Sequence, residues 1–288
     1  MWHFFLNSKL RRRYVAGMLM AMLSTSGLMA QQPVRVVSLN VCADQLLLEL
    51  ADPEQILALT HLATDPDAAF HHRRAVGFKS TQRTAEEVLT LEPTLVIAGS
   101  FGQDHTIAIL QAQGLDVKKM PIAQSLEEVF ENIARVGEWL GKQSQSESLV
   151  NALRVRLEQL PSTRGARPVA AIFDANGYTV GASSLRGQML DMAGFDNLAT
   201  HLGVSHYGKI SLESLLARAP QVLIDSPYSE GTYSRGQALP KHPALRRSGL
   251  APEVIPLPVN STICAGPWTV SNIESLAKHR LRMQTSSP

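Results

Sequence analysis

Residues 84–100 read TAEEVLTLEPTLVIAGS, and residues 211–227 read SLESLLARAPQVLIDSP. Laid in register, Glu86 falls on Glu213, Leu89 on Leu216, Pro93 on Pro220 and Ile97 on Ile224. Each phrase is a short acid-led helix, a proline that stops it, and an apolar strand. The proline disfavours helix in the residue before it, so the boundary lies at the same place in both copies. A phrase repeated once, at half-chain distance, marks two similar halves; a solenoid unit would recur at a far shorter period.

The pattern grows outward from the first copy. RVVSLN, from Arg35, is a short apolar run that ends at Asn40, and VCADQLLLELA follows with Leu46, Leu47 and Leu50 on one helical side. Asp52-Pro53 ends that helix, and ILALT, Ile56 to Thr60, reads as a second strand. Residues 61–83 are polar and rich in His and Arg, which predicts an exposed loop. Helix 84–92, strand 94–98, a helix near 103–113 and the strand LDVKKM complete the first half. Ser125-Leu-Glu-Glu128 is a capping-box start, and Val129, Ile133, Val136 and Leu140 make an apolar stripe behind it. A second helix, about 145–160, would reach about 24 Å at 1.5 Å per residue, enough to pass from one lobe to another. After PSTRGAR the pattern restarts: VAAIFD, YTVGASS, the helix LRGQMLDMAG, the repeated phrase, a short helix in HPALRRSGL, the strand EVIPLP and a last helix from Trp268.

Strands alternating with helices predict an α/β fold of two Rossmann-like lobes with mainly parallel sheets. The expected division is residues 31–140, a linking helix over 141–164, and residues 165–288. Ligands of such sheets lie beyond the carboxyl ends of the strands, so a cleft between the lobes is expected.

Residues 1–30 set the expected compartment. They carry a basic stretch, an apolar stretch and a small residue, Ala30, which together read as a signal peptide cut near Ala30. The Arg11-Arg12-Arg13 run suits either the general or the twin-arginine route. Four of the 27 Lys and Arg, and none of the 25 Asp and Glu, fall there, so the net charge of +2 becomes −2 without them. The basic balance is therefore no sign of a nucleic-acid partner.

Catalytic motifs are missing from the sequence. No G-x-G-x-x-G follows a first strand, no P-loop lysine is present, and no G-x-S-x-G elbow occurs. His71-His72 lacks the i, i+4 spacing that puts two imidazoles on one helix face, so a metal site using His61, His71, His72, His105 or His206 is disfavoured. No resident metal and no enzyme activity are expected. Bulky side chains stand instead at predicted strand ends and loops: Phe78, Phe101, Tyr178, Tyr207, Tyr228 and Trp268. Such residues either pack under their loops or line a site for a large, partly apolar ligand.

The order of RVVSLN, TAEEVLTLEPTLVIAGS, SLEEVFENIARVGEWLGK with its following helix, and SLESLLARAPQVLIDSP resembles the periplasmic substrate-binding proteins that feed ABC importers of cobalamin and ferric siderophores. The likeness covers about residues 34–283. It implies a clamp of two lobes joined by a single helix, working as a periplasmic monomer that needs no cofactor of its own. It implies a bulky ligand that itself carries a metal, held by the aromatic set together with Asn40, Cys42 and Cys264. It implies docking on an ABC permease dimer through one glutamate per lobe, Glu86 and Glu213. Cys42 and Cys264 would flank the cleft, one per lobe, and an exported protein permits a disulfide between them. Tyr207 and Tyr178 sit where a cobalamin binder places aromatics; Trp268 stands where such a binder often has polar residues. Arg83 and Arg186 are available to an anionic chelate. A divalent-metal or haem binder of the same fold, and an exported enzyme, are the alternatives.

Overall fold

A computed structural model of the chain describes residues 33–162, 165–227, 234–247 and 252–286. The expected signal peptide and Tyr228 lie outside the described residues.

The first half runs β1 (Val36–Ser38), α1 (Val41–Leu50), β2 (Ile56–Thr60), β3 (Ser80–Thr81), α2 (Ala85–Thr90), β4 (Leu95–Gly99), α3 (Asp104–Ala112) and β5 (Val117–Met120). Its five strands lie in the order β3-β2-β1-β4-β5, and each pair is parallel. Two helices follow, α4 (Leu126–Trp139) and α5 (Gln143–Glu158). The second half runs β6 (Val169–Ile172), β7 (Tyr178–Val180), α6 (Leu185–Met192), β8 (Asp196–Asn197), α7 (Leu198–His201), β9 (Tyr207–Lys209) and α8 (Leu212–Arg218). It ends with β10 (Val222–Asp225), α9 (Arg235–Ala238), α10 (Ala244–Arg247), β11 (Glu253–Pro256) and α11 (Pro267–Ser286). Its main sheet is parallel in the order β11-β10-β6-β8, and β7 and β9 form a separate antiparallel ribbon.

The repeated phrase folds the same way twice. Thr84 and Ser211 cap α2 and α8 by accepting the amides of Glu87 and Ser214, at 3.3 and 3.1 Å. Each helix ends before its proline, on a residue in the left-handed region: Glu92 at φ 48° and Ala219 at φ 49°. The strand that follows is buried in both copies, over Leu95–Gly99 and from Val222 to Ile224.

One apolar cluster runs through both halves. It includes Val36, Leu46, Ile97, Ile133 and Leu153 as well as Ile172, Phe195, Ile224, Trp268 and Ile273. The α4 stripe Val129, Ile133, Val136 and Leu140 is buried, as its spacing predicts. Helix α5 ties the halves together: Arg154 pairs with Glu127 of α4, and Arg156 grips Glu274 of α11 at 2.9 and 2.8 Å. The bond from Arg156 holds the Glu274 carboxyl below its ordinary range.

The segment expected as an exposed loop over 61–83 is docked instead. Ala63, Ala69 and Ala75 are buried, and the His71 amide donates to Gln45 Oε1 at 2.6 Å. His71 Nε2 meets Glu49 at 3.0 Å, and Phe70 stacks on Trp268 with centroids 4.9 Å apart. Polar composition concealed an apolar residue every few positions, and those anchor the loop.

Candidate functional site

Both parallel sheets reverse their winding at one point, where the strand order turns outward on either side. In the first half the reversal lies between β1 and β4; in the second it lies between β6 and β10. The loops that leave these four strands diverge and open a crevice. Asn40, Gly99, Ser100 and Phe101 leave the first pair, and Phe173, Asp174, Asp225, Ser226 and Pro227 leave the second.

Asn40 caps α1, its Oδ1 accepting the amides of Cys42 and Ala43 at 2.9 and 3.1 Å. Gly99 makes room for it: a Cβ there would lie 2.5 Å from Asn40 Nδ2. Ser100 Oγ donates to the Met120 carbonyl at 2.9 Å, which leaves Phe101 projecting with 79% of its surface exposed. From the second half, Tyr207 stands 62% exposed on β9 and donates its hydroxyl to Gln124 Oε1 of the first half at 3.1 Å. Asn40, Phe101, Ile122, Tyr207 and Ile263 line a cavity of about 250 Å³ between the halves. Large apolar side chains left exposed together at one cavity mark it as the candidate binding surface.

A second cavity of about 290 Å³ opens on the second-half side, lined by Asp174, Tyr178, Asp225 and Lys241 among others. Arg186, Thr262 and Ile263 border both cavities, so the two are compartments of one cleft. Arg186 is placed by the first turn of α6. Ser184 caps that turn through the Gly187 amide at 3.0 Å. Gly187 lets it press on the Gly181 carbonyl, which would lie 2.0 Å from any Cβ. Arg186 then grips Asp174 with two bonds, at 2.6 and 3.3 Å. Tyr178 carries Lys209 Nζ over its ring at 4.5 Å.

Cys42 and Cys264 are joined, with Sγ atoms 2.09 Å apart, across a sequence separation of 222. The bond fastens the first turn of α1 to the loop ahead of α11, beside the cleft wall formed by Ile263 and Ala265.

Cys264 is 1% exposed and lines neither cavity, and three more expected ligand residues stand elsewhere or inside. Trp268 is 3% exposed, belongs to the core and donates its indole N–H to the Cys264 carbonyl at 2.8 Å. Second in α11 after Pro267, it packs between Phe70, His71 and Gly266, where it joins the halves instead of facing a ligand. Phe78 is half-buried against the main core and lines neither cavity. Arg83 also lines neither cavity; its charge acts on Asp44. Asp44 is fully buried in α1 and accepts the Thr60 hydroxyl at 2.5 Å. Burial pushes its carboxyl up to about 6, against the pull of bonds from Ser38 and Thr60 and of Arg83.

Sequence reading missed Ile122, Asp174, Thr262 and Ile263 as cleft residues. Asp174 alone had a signal: it follows a predicted core strand at the place where Asn40 follows β1. Among the described residues no group of three His, Cys, Asp or Glu is placed to hold a metal ion.

Glu86 and Glu213 both occupy the second position of their helices and both are exposed. Each helix leads directly into a strand at its sheet's switch point, β4 in the first half and β10 in the second. Neighbouring Glu87 is spent locally, accepting from Thr81 Oγ1 and the Gln82 amide at 2.8 Å each. Its own amide and the Ser211 hydroxyl hold the Glu213 carboxyl below its ordinary range.

Two parallel-sheet lobes with a cleft at their switch points, and an aromatic on either wall, define a two-lobed solute-binding fold. A family model described as periplasmic binding protein matches residues 36–248, and the chain belongs to that family. A cobalamin-binding protein of Halobacterium salinarum is 28% identical over 198 residues, covering 67% of this chain and 54% of that protein. The match thus spans about half that relative's length. A vitamin B12-binding protein of Vibrio cholerae is 20% identical over 200 residues, covering 68% and 71%. Among solved structures, a periplasmic haem-binding protein of Vibrio cholerae superposes with a TM-score of 0.71 at 17% identity, covering 85% of this chain and 98% of that one. One from Roseiflexus sp. RS-1 gives 0.66 at 23% identity, covering 85% and 97%. At those identities the likeness establishes the fold. Among the described residues no helix is long and apolar enough to cross a membrane.

Proposed function

We propose that the protein is an exported solute-binding protein that captures a bulky metal chelate, of the cobalamin or ferric-siderophore kind, and hands it to an ABC importer. The observation that carries this reading is the pair Phe101 and Tyr207, exposed on opposite walls of one cleft between the lobes. Flat aromatic surface on both sides suits a large ligand with an apolar face. Relatives named for cobalamin binding support the chelate class. The metal arrives within the ligand, so the protein holds no cofactor of its own and binds without turnover. It acts as a monomer in the periplasm after cleavage near Ala30.

Docking falls to Glu86 and Glu213, one per lobe, facing a permease dimer with matching basic residues. Exposed ion pairs are individually weak, so their role is register and encounter rate. The test is an absorbance titration of the purified protein with cyanocobalamin, ferric hydroxamates, ferric catecholates and haemin. One-to-one binding of a chelate below about 10 μM is expected. Failure of all four to bind, or conversion of any of them by the protein, would overturn the reading.

A further inference from the structure

The charges on the cleft wall are few and balanced in sign. Among the described residues, the charged side chains lining it are Arg186, Lys241, Asp174 and Asp225, two cations against two carboxylates. The first-half compartment is lined by one charged group alone, Arg186, and that guanidinium is already bound by Asp174. Both partners are about one-fifth exposed, so water screens the pair little. Arg186 Nε is buried with no hydrogen-bond partner. An ion pair that leaves a donor orphaned is poorly arranged for stability alone, and it stands where the two compartments meet.

We propose that this pair sets the ligand class: the cleft accepts chelates whose periphery carries neutral amide groups and rejects those bearing free carboxylates. The inference rests on the chelate-binding reading above. A carboxamide offers both a donor N–H and an acceptor carbonyl. Beside the pair it gives its N–H to Asp174 and takes a bond from Arg186, and both charges stay satisfied. A carboxylate has acceptors alone. It meets Arg186 only by displacing Asp174 or by lying against it, and two like charges in a half-buried site repel strongly. The polar groups of the surrounding wall include Asn40, Ser100, Asn132, Ser184 and Thr262, all neutral, among apolar neighbours such as Ile122 and Ile263. Asp174 is thus a specificity-determining residue, acting by holding Arg186 away from anions.

The experiment measures dissociation constants for two neutral-rimmed chelates, cyanocobalamin and ferrichrome, and two anionic ones with free carboxylates, haemin and ferric citrate. Wild type is expected to bind at least one neutral chelate more than tenfold tighter than either anionic one. Asp174→Asn frees the guanidinium and should narrow or invert that ratio by at least tenfold. Asp174→Asn combined with Arg186→Gln removes both charges and should restore the wild-type order, which separates charge from any misfolding of the single variant. Anionic chelates bound by wild type as tightly as neutral ones, or an unchanged ratio in Asp174→Asn, would overturn the proposal while sparing the chelate-binding reading. Absence of binding by all four chelates to wild type and both variants would remove that reading, and this proposal with it.

Discussion

The two halves set the same helix and strand beside different loops. In the first half the switch-point strands end in Asn40, Gly99, Ser100 and Phe101, none of them charged. In the second they end in Asp174 and Asp225, and the cleft beside them is lined by Arg186 and Lys241. The helix-proline-strand phrase between these loops is copied down to its cap and its left-handed residue before the proline. On the proposed function each task has its place: the copied phrase is frame and docking face, and the uncopied loops are the ligand site. The interiors diverge too. The first half buries an acid, Asp44; the second buries a base, Arg280, whose Nε donates to the Ala193 carbonyl at 2.9 Å.

The largest expected effect comes from cutting the covalent tie between the halves. Replacing Cys42 and Cys264 together by Ser removes a cross-link whose loop is worth about 5 kcal/mol in the chain-entropy model. Thermal melts should fall by roughly 10–20 °C. A drop under about 3 °C would mean that the halves hold together without the bond. Next is the aromatic that the structure moves from the cleft to the core. Trp268→Ala should lose about 3–5 kcal/mol in denaturant unfolding. Phe101→Ala, on the exposed wall, should change stability by less than about 0.5 kcal/mol. Similar losses in the two variants would erase the distinction between joining and binding aromatics.

The buried acid yields a pH test. The folded-state pKa of Asp44, about 6, lies above its ordinary 3.8, so the native state holds that proton more tightly. Its contribution is complete below about pH 4 and is lost as pH rises through 6, a change of about 3 kcal/mol. Asp44→Asn should remove that slope from stability measured between pH 4 and 8. An equal slope in wild type and variant would refute the assignment. The smallest effect on the isolated protein belongs to the docking face. Glu86→Lys with Glu213→Lys should abolish uptake in a cell that depends on the protein, while stability and chelate affinity stay as in wild type. Lost affinity would instead assign those glutamates to the ligand.

Much of the frame was legible because its signals are local. Proline stops, capping residues and apolar periodicity marked α2, β4, α4, α8 and β10 within about two residues. The repeated phrase exposed the two-lobed plan without any three-dimensional knowledge. The cleft was legible only in part. Phe101 and Tyr207 stood out as aromatics on loops, but the same signal pointed to Phe78 and Trp268, which pack inward. A loop aromatic is equally suited to covering core or ligand, and burial is decided by what folds over it from elsewhere in the chain. Phe70 and His71 cover Trp268 from nearly 200 positions away. Asp174 and Arg186 are individually ordinary, and their meaning comes from meeting at the border of two cavities.

The central claim is that the uncopied loops hold the ligand between Phe101 and Tyr207. Its most direct test is the dissociation constant of the best-bound chelate for wild type and for Phe101→Ala combined with Tyr207→Ala. The account predicts a rise of roughly 10–100-fold in the variant, the loss of two exposed aromatic anchors. An unchanged constant in a folded variant would contradict it.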